Sequence, residues 1–160
     1  MSARDIPARS ARPSGAPWWV TIFTPLATFL MRAGIPLGPN GLLTIRGRKS
    51  GILRTNPVAI IEFKGKRWIW APWGEVNWVR NLRAASEATI SKRGRTDQVR
   101  ATELTAEEHI GFFRDDLGGL ARSIPFGVWF IRTIDGVDLN DPEGAADGRP
   151  VFELHPQEIA

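Results

Sequence analysis

The sequence predicts an α+β fold built on a small, mainly antiparallel β-barrel or strongly curled sheet, with helices at its openings. Three observations carry that prediction. From residue 42 onward, short runs of β-prone residues recur between turn signals. Within that region helical spacing is confined to residues 77–85 and 106–116. The 16 Gly and 12 Pro of the 160 residues demand many turns and disfavour long helical bundles. A chain of this length organises one core, and 42% hydrophobic residues supply the apolar surface to order it.

Taken in chain order, residues 1–16 carry Arg4, Arg9 and Arg12 against Asp5 with no apolar periodicity, and are predicted to form a mobile basic arm. Residues 17–33 are predicted to form an amphipathic helix. Trp18, Trp19, Ile22, Phe23, Leu26 and Leu30 recur at helical spacing, while Thr21, Thr24, Thr28 and Arg32 occupy the opposite stripe. Three Thr and Pro25 make this segment unsuitable as a membrane span, and the late start of its apolar run does not match a secretory signal. Two readings stay open. The helix packs on its own domain or on a second copy in a homodimer, or residues 17–32 lie in an anionic membrane surface with the Trp pair at headgroup depth. The expected location is cytoplasmic, and under the second reading peripheral on the inner face of the cell membrane.

The breakers Gly34, Pro36, Gly38, Pro39 and Gly41 open the main domain, residues 34–160. Residues 42–46 read as a strand, 47–51 as a turn and Leu53–Phe63 as a longer strand, which together make a hairpin. After a turn at Lys64-Gly65-Lys66, residues 67–71 alternate, with Trp68 and Trp70 on one face and Ile69 on the other. Trp78, Val79 and Leu82 suit a short helix over Asn77–Ala85. Residues 88–92 return to strand, 93–95 turn, and 97–104 form a strand with an exposed charged face. Thr105-Ala106-Glu107-Glu108 is a capping box that starts a helix running to Asp116, ended by Gly118 and Gly119. An aromatic cluster at 124–134, an acidic loop at 135–148 and a strand at 151–154 complete the chain.

The absence of Cys excludes disulfide, thiolate-metal and cysteine-nucleophile chemistry, and neither His109 nor His155 has a recognisable triad context. No Tyr is present, so no phenol donates a proton. A net charge of +4 favours anionic partners. The strongest local feature is Arg46-Gly47-Arg48-Lys49-Ser50-Gly51 followed by Arg54-Thr55-Asn56-Pro57. Cations, a hydroxyl and flanking glycines between two strands can converge on one oxyanion; the plain alternative is a solvated basic hairpin. A second basic turn, 92–95, raises the case of a single-stranded nucleic acid partner, but the seven Trp do not interleave with the basic turns, which argues against it. Ala71-Pro72-Trp73-Gly74 runs into Asn77, Trp78 and Asn81 on one helical side, an arrangement that suits a flat heterocycle or ordinary core packing.

The ordered blocks Gly47-Arg48-Lys49-Ser50-Gly51, Arg54-Thr55-Asn56-Pro57, Trp78-x-x-Asn81-Leu82 and Pro150-Val151-Phe152-x-Leu154 together resemble the deazaflavin-dependent nitroreductase and quinone reductase family, firmly over residues 42–104 and loosely over 105–156. The resemblance implies a split β-barrel and coenzyme F420, an 8-hydroxy-5-deazaflavin with a phosphate and oligoglutamate tail, in preference to FMN. It implies hydride transfer to an apolar acceptor such as a quinone, nitroaromatic or unsaturated lipid. By position it assigns Arg48, Lys49, Ser50 and Arg54 to the anionic tail, and Thr55, Asn56 and Pro57 to the ring system. Trp73 and Gly74 fall in the loop beside the cofactor, and Trp78 and Asn81 on the helix that closes the site. Where family nitroreductases carry tyrosines, this chain has Phe126, Trp129 and Phe130, which with Trp78 are expected to bound an all-apolar substrate pocket. No residue is assigned as the catalytic acid. The alternatives are a cofactor or lipid carrier without turnover on the same barrel, and a flavin mononucleotide-dependent reductase. If the helix is interfacial, removal of residues 1–32 is expected to release the protein from anionic vesicles and leave soluble turnover largely intact; unfolding on removal supports the packed helix instead.

Overall fold

The computed structural model describes residues 18–33 and 40–157, so the predicted arm at 1–16 and most of the breaker cluster lie outside the described residues. Six strands, β1 (Asn40–Arg46), β2 (Leu53–Phe63), β3 (Lys66–Trp70), β4 (Glu87–Lys92), β5 (Arg95–Glu103) and β6 (Val151–Pro156), close into a barrel in the order β1-β2-β3-β6-β5-β4. Every neighbouring pair is antiparallel. The predicted α+β barrel is therefore the observed architecture.

Alternation along the strands sorts the side chains into two apolar layers. Leu43, Val58, Ile60, Ile69, Ile90, Val99, Phe152 and Leu154, drawn from all six strands, fill the interior. Helix α2 (Asn77–Ala85) adds Trp78, Val79 and Leu82 to that interior, and ends in a left-handed Ser86 whose N–H bonds the Leu82 carbonyl. On the outer face Ile61, Trp68, Trp70 and Val151 meet Phe112, Phe113 and Leu117. Trp70 and Phe113 pack edge to face, with centroids 5.5 Å apart.

The capping box is present: Thr105 Oγ1 accepts from the Glu108 N–H, and the Glu108 carboxylate accepts from the Thr105 N–H. The predicted end at Gly118 and Gly119 is overturned. Helix α3 (Ala106–Gly111) passes through a π-helical stretch, Phe112–Leu117, into α4 (Gly118–Ser123). These glycines serve close packing: a Cβ on Gly118 would lie 2.8 Å from the Phe113 carbonyl oxygen, and one on Gly119 3.1 Å from the Phe63 ring. The aromatic segment is helical too, as α5 (Gly127–Phe130) and a second π-helical stretch, Ile131–Asp135. Within the expected acidic loop, Asp141 caps a short helix α6 (Pro142–Ala146) by accepting from the Gly144 N–H. Strand β5 begins two residues earlier than predicted, because Arg93 and Gly94, with φ of +50° and +76°, make a two-residue hairpin turn.

Helix α1 (Trp18–Arg32) lies against β1 and β2. Thr24, Ala27, Thr28 and Leu30 are half-buried, whereas Trp18, Leu26 and Phe29 are exposed. Part of the threonine stripe therefore faces the barrel, and these large apolar side chains face outward. Among the described residues no helix is long and apolar enough to cross a membrane.

Candidate functional site

The β1–β2 turn is held by its own backbone. The Gly47 N–H bonds the Ile52 carbonyl at 2.8 Å and the Gly51 N–H bonds the Gly47 carbonyl at 2.9 Å. Ser50 Oγ accepts from the Ile52 N–H. Glycine eases close packing at position 47, where a Cβ would lie 2.8 Å from Ser50 Oγ and 3.2 Å from the Ile52 carbonyl oxygen, and suits position 51, whose φ is +70°. One further contact ties the turn to the barrel. Asn81, buried on α2, accepts through Oδ1 from the Arg48 N–H at 3.2 Å and from Arg48 Nη1 at 2.8 Å.

The turn and helix enclose a cleft of about 460 Å³ lined by Arg48, Lys49, Ser50, Arg54, Asn56, Asn77, Trp78 and Asn81 with Gly47. Lys66, Arg67, Arg83 and Lys92 all pair with carboxylates. Among the described residues Arg48, Lys49 and Arg54 make no such pair, so their charge stands uncompensated around one opening. Arg46 is turned aside to donate to the Gly51 carbonyl. Another groove of about 600 Å³, between the β2–β3 and β4–β5 turns, is also basic, but Lys92–Glu62 and Arg67–Asp97 pairs neutralise part of its charge.

Trp78 also borders a slot of about 230 Å³ walled by Pro57, Val58, Trp70, Pro72 and Trp73, with Thr24 and Ala27 of α1. The β3–α2 loop that makes one wall is fixed by several bonds. The Ala71 N–H bonds the Pro150 carbonyl, and the Gly74 N–H bonds the Ala71 carbonyl with Gly74 at φ +93°. Buried Arg149 donates to the carbonyls of Pro72, Gly144 and Ala145 at 3.1, 3.3 and 3.2 Å. Burial draws the Arg149 pKa below its usual value, opposed by Asp135 and Asp147.

A third cavity, of about 520 Å³, opens beyond the slot and is lined by Leu117, Leu120, Ile124, Phe126, Trp129 and Phe130, among others. Phe126 holds a left-handed φ of +60°, a strained conformation for a bulky residue. Ala59, Trp70 and Asp135 are common to slot and cavity. The indole N–H of Trp70 is buried with no hydrogen-bond partner among the described residues. Burial pushes the Asp135 carboxyl up to about 6 against the opposing pull of Arg149.

The structure thus brings Arg48, Lys49, Ser50, Arg54, Asn56, Trp78 and Asn81 around one cleft, and Pro57, Trp73 and Trp78 around the slot. Thr55 is not on either wall; its hydroxyl bonds Thr44 Oγ1 across β1 and β2 at 2.9 Å. Gly74 forms the turn behind the wall. Phe126, Trp129 and Phe130 share the third cavity, and Trp78 does not reach it. That cavity is not all-apolar, since Glu62, Lys92, Arg93 and Asp135 also line it. The sequence reasoning missed Asp135, which looked like the first residue of an acidic loop, and Arg149. The available signals were a carboxylate closing an apolar helical run and a lone cation before the last strand.

A family described as F420H(2)-dependent quinone reductase matches residues 31–117. The match contains the cleft and much of the slot, and stops before Phe126, Trp129, Phe130 and Asp135. Among curated protein sequences none matches. Solved structures that resemble the chain include an F420-H2-dependent reductase, FDR-A, at 21% identity over 73% of this chain and 94% of that one, with a TM-score of 0.48. A chain described as a domain-swapped dimer aligns at 20% identity over 86% of this chain and 97% of that one, TM-score 0.51. A Bacteroides thetaiotaomicron protein named for 5-nitroimidazole antibiotic resistance aligns at 10% identity over 80% of this chain and 78% of its own, TM-score 0.52. The last two share the fold.

Proposed function

The chain belongs to the F420H(2)-dependent quinone reductase family and is an F420-dependent oxidoreductase, and from that premise we propose that it reduces an apolar acceptor, a quinone, nitroaromatic or unsaturated lipid, in the cavity beyond the slot. One observation carries this reading. A cleft with uncompensated cations, a narrow slot walled by Trp73, Trp78, Pro57 and Val58, and a larger aromatic cavity follow one another through shared walls.

These residues fit the cofactor's parts. An anionic tail matches Arg48, Lys49 and Arg54, and a planar ring matches a slot bordered by three indoles. Reduced F420 supplies a hydride. The chain's own work is then orientation: Asn81 aims Arg48, Arg149 holds the Pro72 loop, and Phe126, Trp129 and Phe130 offer the acceptor an exposed apolar face to pack against. Titrating the purified chain with F420 while following cofactor fluorescence tests binding. Oxidation of reduced F420 on adding menadione, a small naphthoquinone, tests turnover. Binding without oxidation across a panel of quinones, nitroaromatics and unsaturated lipids would favour a carrier instead.

The outward Trp18, Leu26 and Phe29, with Arg32 at the end of α1, support seating on an anionic membrane surface. A second copy covering the same face is the rival outcome.

A further inference from the structure

We propose that Asp135 is the general acid of the reaction, delivering a proton from its carboxyl group to the acceptor as the acceptor receives hydride. The inference rests on the reading that the acceptor occupies the third cavity and the cofactor ring the slot.

Geometry comes first. The slot and the cavity share a wall made of Ala59, Trp70 and Asp135, so an acceptor lying against the ring meets a methyl group, an indole and a carboxyl group. Of these only the carboxyl exchanges a proton near neutral pH. It is the sole ionisable side chain among the described residues lining the slot. In the cavity the others are Glu62, Lys92 and Arg93, and Glu62 pairs with Lys92 at 3.7 Å. The Asp135 carboxylate makes no hydrogen bond or ion pair with any described residue.

The backbone also fixes its position. Asp135 ends the second π-helical stretch, and Gly136 follows in a left-handed conformation with φ +68°, reversing the chain there. Burial raises the carboxyl pKa from 3.8 to about 6, and Arg149 is the charged group that acts against the rise. A substantial neutral fraction therefore persists close to pH 6, which matches the acid strength to its task. The chain has no phenol to serve instead.

The step balances. Hydride brings the acceptor two electrons and one hydrogen, leaving negative charge on a quinone oxygen or, for an unsaturated lipid, on a carbon. The Asp135 O–H bond breaks as a new O–H or C–H bond forms on the acceptor. The resulting carboxylate regains a proton from solvent before the next turnover, and the proton that hydride loss leaves on the cofactor passes to solvent. Overall, quinone and F420H(2) become hydroquinone and oxidised F420.

The test uses the full chain, reduced F420 and menadione between about pH 5 and about pH 9, comparing wild type with Asp135→Asn and Asp135→Glu. Wild-type kcat is expected to fall as pH rises through the ionisation of the acid. Asp135→Asn should lose about 10²–10⁴-fold in kcat and the pH dependence with it, and Asp135→Glu should restore part of both. F420 affinity by fluorescence should change by less than about threefold in either variant. Carboxyl-carbon NMR of the cofactor-free protein supplies a readout independent of turnover: one aspartate should titrate well above the others and be missing from Asp135→Asn. An aspartate 135 that titrates with the ordinary carboxylates, or an Asn variant with wild-type kcat and pH profile, overturns the inference alone. Failure of the wild-type chain to bind F420 overturns the underlying reading together with it.

Discussion

Asn81→Ala isolates the contact on which the basic turn depends. The amide oxygen accepts from the Arg48 N–H at 3.2 Å and from Arg48 Nη1 at 2.8 Å, and the residue is buried. A neutral hydrogen bond contributes about 0.5–1.5 kcal/mol and one to a charged group about 1.5–3 kcal/mol. Arg48 is exposed and water can take over part of both, so we set the loss at about 2 kcal/mol. For a chain of this size that is a fall in Tm of about 4–8 °C. Cofactor affinity should fall by about 1 kcal/mol, roughly fivefold in Kd, because the Arg48 charge remains but its orientation is lost. Asn81→Asp sharpens the test. It keeps an acceptor for Arg48 and so most of the Tm, yet places a negative charge beside an anionic tail, so F420 binding should fall at least as far. Melting curves and fluorescence titration read both quantities. An Asn81→Ala protein with unchanged Tm and unchanged Kd would refute the anchoring role.

Lys49→Ala and Arg54→Ala should each weaken F420 binding by about 1–3 kcal/mol, read by fluorescence titration, with little change in Tm since both side chains are exposed. Gly127→Ala puts a Cβ 2.3 Å from the Ala121 carbonyl oxygen, a backbone clash; stability should fall by about 1–3 kcal/mol and the KM for menadione rise while F420 affinity holds. Asp135→Asn has a stability signature of its own. With the folded pKa raised from 3.8 to about 6, the native chain holds a proton that the unfolded chain has shed, so wild-type stability declines as pH rises through that window and stays lower above it. The Asn variant should match wild type below about pH 3 and exceed it above about pH 7, by at most about 3 kcal/mol; denaturant melts at both pH values measure the gap. Because Thr24 and Ala27 line the slot, removal of residues 1–32 should weaken F420 binding as well as release the protein from anionic vesicles, in contrast to the intact turnover expected from sequence; unchanged F420 affinity would separate α1 from the site.

The parts of the molecule that were readable beforehand are those governed by local rules. Period-two alternation placed Trp68 and Trp70 opposite Ile69, and the strands then put them in different apolar layers. Capping chemistry marked the start of α3. Charge and glycine spacing marked the turn whose cations the structure gathers at one cleft. What escaped depended on distant partners. Gly118 and Gly119 read as breakers because nothing local reveals that Phe113 and Phe63 need their space. Asp135 reads as the first residue of an acidic loop and nothing local singles out Arg149, whose burial depends on carbonyls of the distant Pro72 loop and of α6. Thr55 was placed along the ring by position in a motif, whereas strand pairing turns its hydroxyl to Thr44. The aromatic residues 126, 129 and 130 were visible as a group, but not the carboxylate that accompanies them into the cavity.

The two halves of the binding region differ in how far along the chain their parts must travel to meet. Tail-gripping groups come from residues 47–56 and 77–81, joined by contacts of modest sequence separation. The wall around Pro72 is secured from Arg149 and Pro150, some 77 residues downstream, through the guanidinium and the Ala71 bond. Loop closure over that span makes this wall a late event in folding, after the β1–β2 hairpin can already exist. During synthesis the chain therefore acquires its electrostatic attraction for anions well before it can enclose a redox ring. Premature termination ahead of Arg149 would remove β6 along with this anchor and leave the barrel unclosed.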